Sequence, residues 1–374
     1  MPRLVRPILL SLLAAAGSLA AIVYALTWHP AEREALAVSC HAQAPELQPG
    51  QALKVMTWNL QFLAGKRYLF WHDLPDGSGP DLRPTAADLA FTLDEVVRVI
   101  RAEAPDLVLL QELHDGARAT DYQDQLALLR ERLSDLYPCS SQAFYWKAAF
   151  VPHPKILGSV GMKLATLSRF RIERGERLQL PLAPADPLRR QFDLRHALQT
   201  SVLPLRGGGR LVAVNTQLDG FAGGDTLRRQ LQASRALLDR LQADGSLWLF
   251  GGDLGLLPPG QQRRLAAQGL AEPATADAWE LLAGYPLIPS LAEADGRNQA
   301  AWYSHFPNDP RVRAPDRTLD YLLHSPALVR LDAGVRRADT LQISDHLPLI
   351  ARFLLPAPEA TPVEGQGETA SPNL

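Results

Sequence analysis

The chain has 374 residues, and 38 Lys plus Arg against 40 Asp plus Glu leave a formal charge of −2, which argues against a basic protein that coats nucleic acid. Hydrophobic residues at 47% and charged residues at 21% are a globular mix and exclude a disordered, collagen-like or wholly membrane-embedded chain. Two Cys, and no Cys/His cluster at zinc spacing, exclude a disulfide scaffold and a structural zinc site, so any metal is expected on oxygen ligands.

Ile8 to Trp28 carries no charge and slightly exceeds the roughly 20 residues that cross a bilayer, which predicts one transmembrane helix. Arg3 and Arg6 precede it, while His29, Glu32, Arg33 and Glu34 follow, a bias that places the N-terminus in the cytoplasm. Residues 1–28 then form a stub and single-pass anchor in the cell (inner) membrane, with 29–52 as a linker. The main domain, 53–355, is expected in the periplasm of a Gram-negative cell. A signal peptide cut at Ala35-Leu36-Ala37 is the alternative, although such apolar regions run only about 7 to 15 residues. Export would allow Cys40 and Cys139 to pair, which the sequence leaves open. The tail, 356–374, is rich in Pro, Glu, Thr and Gly and is expected to be disordered.

Within the domain, Leu53 to Leu60 reads as a strand ending on Asn59. Thr85 and Asp88 have capping-box spacing for a helix whose face is Leu89, Leu93, Val96 and Ile100, and Pro105 ends it. The apolar run Leu107 to Leu110 predicts a strand buried on both faces that delivers Gln111 and Glu112. A helix near Tyr122 to Leu133 is followed by strands near Ala143 to Phe150, Met162 to Ser168 and His196 to Leu203. Gly207, Gly208 and Gly209 predict a hairpin turn into the strand Leu211 to Asn215, and a helix follows from Thr226 to Leu241. Leu247 to Phe250 is a further buried strand, closed by Gly251, Gly252 and Asp253. Leu319 to Leu323 and Leu347 to Leu354 complete the set, with Asp345 and His346 just ahead of the last. These elements predict a layered α/β domain with two sheets and helices outside.

Asn59, Glu112 and Asp253 each close a buried strand. With Asp320 and the pair Asp345-His346, the chain offers four acids, an amide and an imidazole. Such a set suits a hard divalent cation beside a histidine that faces a phosphate or a water.

The ordered pieces Trp58-Asn59, Gln111-Glu112, Leu167-Ser168-Arg169, Asn215-Thr216-Gln217-Leu218, Gly251 to Gly255, Leu319-Asp320-Tyr321 and Ser344-Asp345-His346 resemble the endonuclease/exonuclease/phosphatase superfamily, which shares the fold of pancreatic deoxyribonuclease. The resemblance implies a four-layer α/β/β/α sandwich of two packed sheets flanked by helices. It also implies Mg²⁺, with Mn²⁺ as an alternative, held by Glu112, Asn59 and Asp345. Asp253 would orient or deprotonate water, and His346, held by Asp320, would contact the phosphate. Asn215 and Gln217 complete the implied catalytic set.

Two positions depart from the family pattern: Gln217 stands where a histidine is usual, and Gly255 where an asparagine is usual. Glutamine cannot carry a charge or hand over a proton. The expected activity is hydrolysis of a phosphate ester, with a lipid head group preferred because of the anchor and long nucleic acid disfavoured by the charge. A family member that binds a phosphorylated ligand without turnover, and a nuclease, are the alternatives. Asp219 and His196 lie near Gln217 in sequence. The loop Gly65 to Pro84, with Tyr68, Phe70, Trp71 and His72, either leans over the site or membrane or packs on its own aromatics. Arg189, Arg190 and Arg195 form a basic patch, and Tyr145, Trp146 and Phe150 read as core packing.

Overall fold

The computed structural model describes residues 5–74, 76–220, 225–270 and 278–357. In chain order its helices and strands are α1 Val5–Leu26, β1 Arg33–Leu36, β2 Val38–Cys40, β3 Ala52–Asn59, α2 Ala86–Glu103, β4 Leu107–His114, α3 Gln125–Arg132, β5 Cys139–Val151, β6 Gly158–Ser168 and β7 Arg174–Gln179. They continue with β8 Ala197–Pro204, β9 Arg210–Gln217, α4 Thr226–Ala243, β10 Leu247–Asp253, α5 Pro259–Ala267, β11 Leu287–Ile288, α6 Leu291–Ala294, β12 Asp320–His324, β13 Val329–Val335 and β14 Leu349–Leu354. Of the expected disordered tail, 358–374 lies outside the described residues.

The strands form two seven-stranded sheets, one ordered β13-β14-β3-β4-β6-β5-β2 and the other β1-β7-β8-β9-β10-β12-β11. Strand alternation sets the layers, because successive side chains point to opposite faces. Leu53, Val55, Leu107 and Leu109 meet Leu211, Ala213, Leu249 and Leu322 between the sheets. Met56, Trp58, Val108 and Leu110 face outward and pack with Leu89, Leu93, Val96 and Ile100 of α2. Val212, Val214, Trp248 and Phe250 do the same against Leu231, Leu237 and Leu238 of α4. This is the α/β/β/α sandwich. Thr85 caps α2 by accepting from the Asp88 N–H at 3.2 Å, and Gly207 to Gly209, all at positive φ, turn β8 into the antiparallel β9.

Residues 29–52, expected as a linker, are built into both sheets: β1 pairs with β7 and β2 with β5. Both strands are too short to show a period in the sequence. Cys40 and Cys139 form a disulfide that pins β2 to β5 across 99 residues, and a loop of that size is worth about 4 to 5 kcal/mol in the chain-entropy account. Helix α1 is long and apolar enough to cross a membrane, and its apolar stretch is not buried by the domain. After it, Thr27 pairs with Ala148 of β5.

His114, at the end of β4, stacks on Phe62 at 4.7 Å and is hydrogen-bonded through Nδ1 to Thr120. Burial, reinforced by His72, pushes its pKa down to about 3. A folded pKa below the unfolded value of about 6.5 means that the neutral ring stabilises above that value and the contribution is lost as pH falls. By pH 5 this one group withdraws about 2 kcal/mol. Thermal melts from pH 7.5 to 5 are expected to show a falling Tm, with a shallower slope in His114→Phe; an equal slope would assign the acid sensitivity elsewhere.

Candidate active site

The alternation that builds the inter-sheet core also builds the site. After Leu53, Val55 and Thr57 the next inward position of β3 is Asn59, after Leu211 and Ala213 that of β9 is Asn215, and after Leu249 and Gly251 that of β10 is Asp253. Parallel pairing aligns β3 with β4 and β9 with β10, so these polar residues emerge at one end. Strand β12 runs antiparallel to β10 and begins there, with Asp320 opposite Asp253.

Glu112 follows another rule. Strand β4 continues past it to His114, and its pairing with β6 shifts register between Leu110 and Leu113. Glu112 itself has φ of 56°, a left-handed conformation that side chains other than glycine rarely adopt and that clusters at functional sites. The bulge turns its carboxylate toward the polar end of the sandwich. There Glu112 Oε1 accepts from Asn59 Nδ2 at 2.9 Å and from Gln217 Nε2 at 2.7 Å. Asn59 Nδ2 also reaches Asp253 Oδ2 across the sheets, at 3.3 Å.

The Ser344-Asp345-His346 turn is fastened to β3. Ser344 Oγ donates to the Asn59 carbonyl at 2.9 Å, and Trp58 Nε1 donates to the His346 carbonyl at 2.9 Å. His346 Nδ1 lies 2.8 Å from Asp320 Oδ2, and Nε2 lies 3.6 Å from Asp253 Oδ2. Burial disfavours the charged ring, but Asp320 and Asp253 outweigh it and hold the His346 pKa well above its ordinary value. Asp253 is pushed up to about 7: burial and Asp320 raise it against the pull of His346. Burial and the neighbouring Asp345 likewise raise Glu112. Asp345 goes the other way, to about 2, because His305 and His346 overcome the effect of burial.

Asn59, Glu112, Asp253, Asp320, Asp345, His346 and Gln217 thus converge. Asn215 lies beneath them with no exposed surface. Its amide donates to the Leu110 and Ala165 carbonyls, both at 2.9 Å, and its oxygen accepts from Gln111 at 2.7 Å. Its hydrogen bonds therefore serve positioning, clamping β9 to β4 and β6. Gln217 is also fixed: the Tyr145 hydroxyl donates to its Oε1 at 2.6 Å, which aims Nε2 at Glu112. Tyr145, expected as core, is buried and also orients the site. His196 contacts the Gln217 main-chain carbonyl at 2.9 Å and lies 3.9 Å from Asp219, so both are placed behind Gln217.

His305 and Lys66 were not foreseen, and His72 was named only within the loop expected either to lean over the site or membrane or to pack on its own aromatics. His305 lies 3.6 Å from Asp345 and packs edge-on to His346, with ring centroids 4.4 Å apart. Lys66 donates to Asn308 at 2.7 Å, close enough for Asp345 to act on its charge. The charge on His72 is opposed by burial and supported by Asp73, then by Glu112 and Asp345. No strand end announces any of the three. Of the loop's other aromatics, Tyr68 and Phe70 pack with Phe62 and Trp71 stacks on His153.

Donor atoms of Asp253, Asp320 and His346 lie within 4.8 Å of one another, as do those of His305, Asp345 and His346. Among the described residues Asp320 Oδ1 is buried without a hydrogen-bond partner, and Glu112 sits beside a second acid. Both features fit a divalent cation, to which Glu112 and Asp345 would offer carboxylate oxygens; Asn59, expected as a third ligand, has its Oδ1 accepting from the Gln61 N–H at 3.0 Å and turns its Nδ2 to Glu112.

Gly255 shows why an asparagine is missing. Its φ is 57°, and a Cβ there would lie 2.6 Å from Gly220 Cα and 2.8 Å from Gly220 N. The two glycine backbones pack directly together. Gly255→Asn is therefore expected to destabilise the domain by about 1 to 3 kcal/mol, as overpacking does, read as a lower Tm with no recovery of activity. An unchanged Tm would show that Gly220 yields freely.

Two packed sheets with acids and amides at one end define the class of deoxyribonuclease-like sandwiches. The sequence profile described as Endonuclease/Exonuclease/phosphatase family matches residues 56–346, and the chain belongs to that family, whose members are generally hydrolases of phosphate esters. Among solved structures, an endonuclease/exonuclease/phosphatase from Beutenbergia cavernae is 25% identical, covering 83% of this chain and 73% of its own at a TM-score of 0.57. The human Nocturnin catalytic domain with bound sulfate is 18% identical, covering 85% and 97% at a TM-score of 0.50. No curated protein matches.

Proposed function

We propose that the chain is a divalent-metal-dependent phosphoric ester hydrolase, anchored in the inner membrane by α1 with its domain in the periplasm, and acting on a phosphodiester of lipid head groups. The observation that carries the reading is the meeting of Glu112, Asn59, Asp253, Asp320, Asp345 and His346 at one end of the sandwich. Mg²⁺ is the proposed cation, and when bound it polarises a phosphoryl oxygen. Asp253, with a pKa near neutrality, takes a proton from water as general base. Asp320 holds Nδ1–H of a charged His346, leaving Nε2 to face the phosphoryl oxygens where negative charge develops. Gln217 contributes by fixing Glu112. The charge of −2 gives long nucleic acid little to hold.

Gln217 and the Gly255–Gly220 contact favour a second reading, a member that binds a phosphorylated ligand without hydrolysing it. The two are separated by assaying the full chain in detergent on bis(p-nitrophenyl) phosphate, phosphatidyl diesters and single-stranded DNA, with Mg²⁺ and with chelator. Metal-dependent release from the diesters supports the hydrolase. Tight Mn²⁺ binding without any release supports the binder, and preference for DNA supports a nuclease.

A further inference from the structure

The end of α1 fixes a direction. Thr27 pairs antiparallel with Ala148, and the Trp28 ring meets Phe144 at 6.4 Å, so the chain after α1 runs down β5 away from the β5–β6 turn. Going backward, α1 leaves on the side of that turn, residues 152–157. A membrane crossed by α1 therefore lies on the turn side of the domain.

The surface there has the composition of an interfacial element. Phe150, just before the turn, is 41% exposed, Leu157, at its end, is 51% exposed, and Leu188 in the neighbouring loop is 61% exposed. That loop is tied to the hairpin by Trp146 Nε1 donating to the Phe192 carbonyl at 2.7 Å. Lys147 and Lys155 flank the apolar tip, and from Leu136 to Ile172 there is no Asp or Glu. Apolar side chains ringed by Lys are what an anionic head-group layer takes up.

The tip also adjoins the site. His153 stacks on Trp71 at 4.7 Å and 25°, and Trp71 precedes His72, whose charge is favoured by Asp73 and, farther off, by Glu112 and Asp345. We infer that the β5–β6 tip seats in the head-group layer of the bilayer that α1 crosses and sets the site mouth against it, so that the substrate phosphate is presented from the lipid surface. The inference rests on the anchor reading above.

The test places a tryptophan at the tip of the full chain, Phe150→Trp, in nanodiscs of brominated phosphatidylcholine with phosphatidylglycerol, beside Phe91→Trp on α2 as a control. The expected result is loss of most of the added emission in Phe150→Trp and retention in Phe91→Trp. Equal quenching of both, or of neither, overturns the inference. Shielding of Phe150→Trp from acrylamide without lipid quenching means that a second copy covers the tip, and also overturns it. Mn²⁺ binding and hydrolysis of bis(p-nitrophenyl) phosphate, measured on the same discs, show whether the proposed function survives such a failure. A chain that does not enter discs at all overturns both the anchor and the tip.

Discussion

Glu112→Ala is expected to lower the proposed Mg²⁺-dependent hydrolysis by about 10³-fold, the order of effect that several kcal/mol of lost Lewis-acid stabilisation produces. Its Oε1 is held by two side-chain amides, those of Asn59 and Gln217, so the carboxylate is aimed before any cation arrives. Alanine removes the proposed ligand and leaves the two amides only their longer contacts to Asp253 Oδ2, at 3.3 and 3.5 Å. Gln217→Ala is the milder companion: it removes only a group that aims Glu112, and metal affinity is expected to fall by about 10- to 100-fold. Mn²⁺ titration followed by electron paramagnetic resonance checks both. If Glu112→Ala binds Mn²⁺ as the parent does, the ligand assignment is wrong whatever happens to the rate.

What made Glu112 legible was the apolar run before it; what hid its geometry was the bulge. A strand that simply ended at Glu112 would have pointed it outward, on the side of Leu110, and only the left-handed backbone turns it toward Asn59. Asn59, Asp253 and Asp320 needed no such correction, since inward alternation from Val55, Leu249 and Leu322 leads straight to them. His305, Lys66 and His72 come from loops, where no period constrains a side chain, and their nearness to Asp345 depends on long-range packing. The same holds for Gly255: sequence showed that the usual asparagine is absent, but the backbone of Gly220 that fills the space lies 35 residues earlier in the chain. Strands β1 and β2 were hidden because they are short edge additions whose pairing is set by their partners and the Cys40–Cys139 bond.

Asp253→Asn is expected to move rate and stability in opposite directions. Asparagine keeps the shape and the hydrogen-bonding reach but accepts no proton, and losing a general base costs about 10²- to 10⁴-fold. In the parent the rate is expected to fall as pH drops below about 7, because burial and Asp320 raise the Asp253 pKa to that point against the pull of His346. The same shift penalises the fold. The folded pKa lies above the unfolded value of about 3.9, so the stability the protonated acid confers is complete below 3.9 and lost as pH rises through 7. At pH 8 the metal-free parent therefore carries a buried carboxylate that the asparagine variant does not, and the variant melts higher. A rate loss accompanied by a higher Tm locates the defect in chemistry. A rate loss accompanied by a lower Tm would mean that the contacts Asp253 Oδ2 makes with Asn59 Nδ2 at 3.3 Å and His346 Nε2 at 3.6 Å, which an asparagine NH2 cannot accept, matter more to the fold than the buried charge costs it, and the general-base assignment would lose its support.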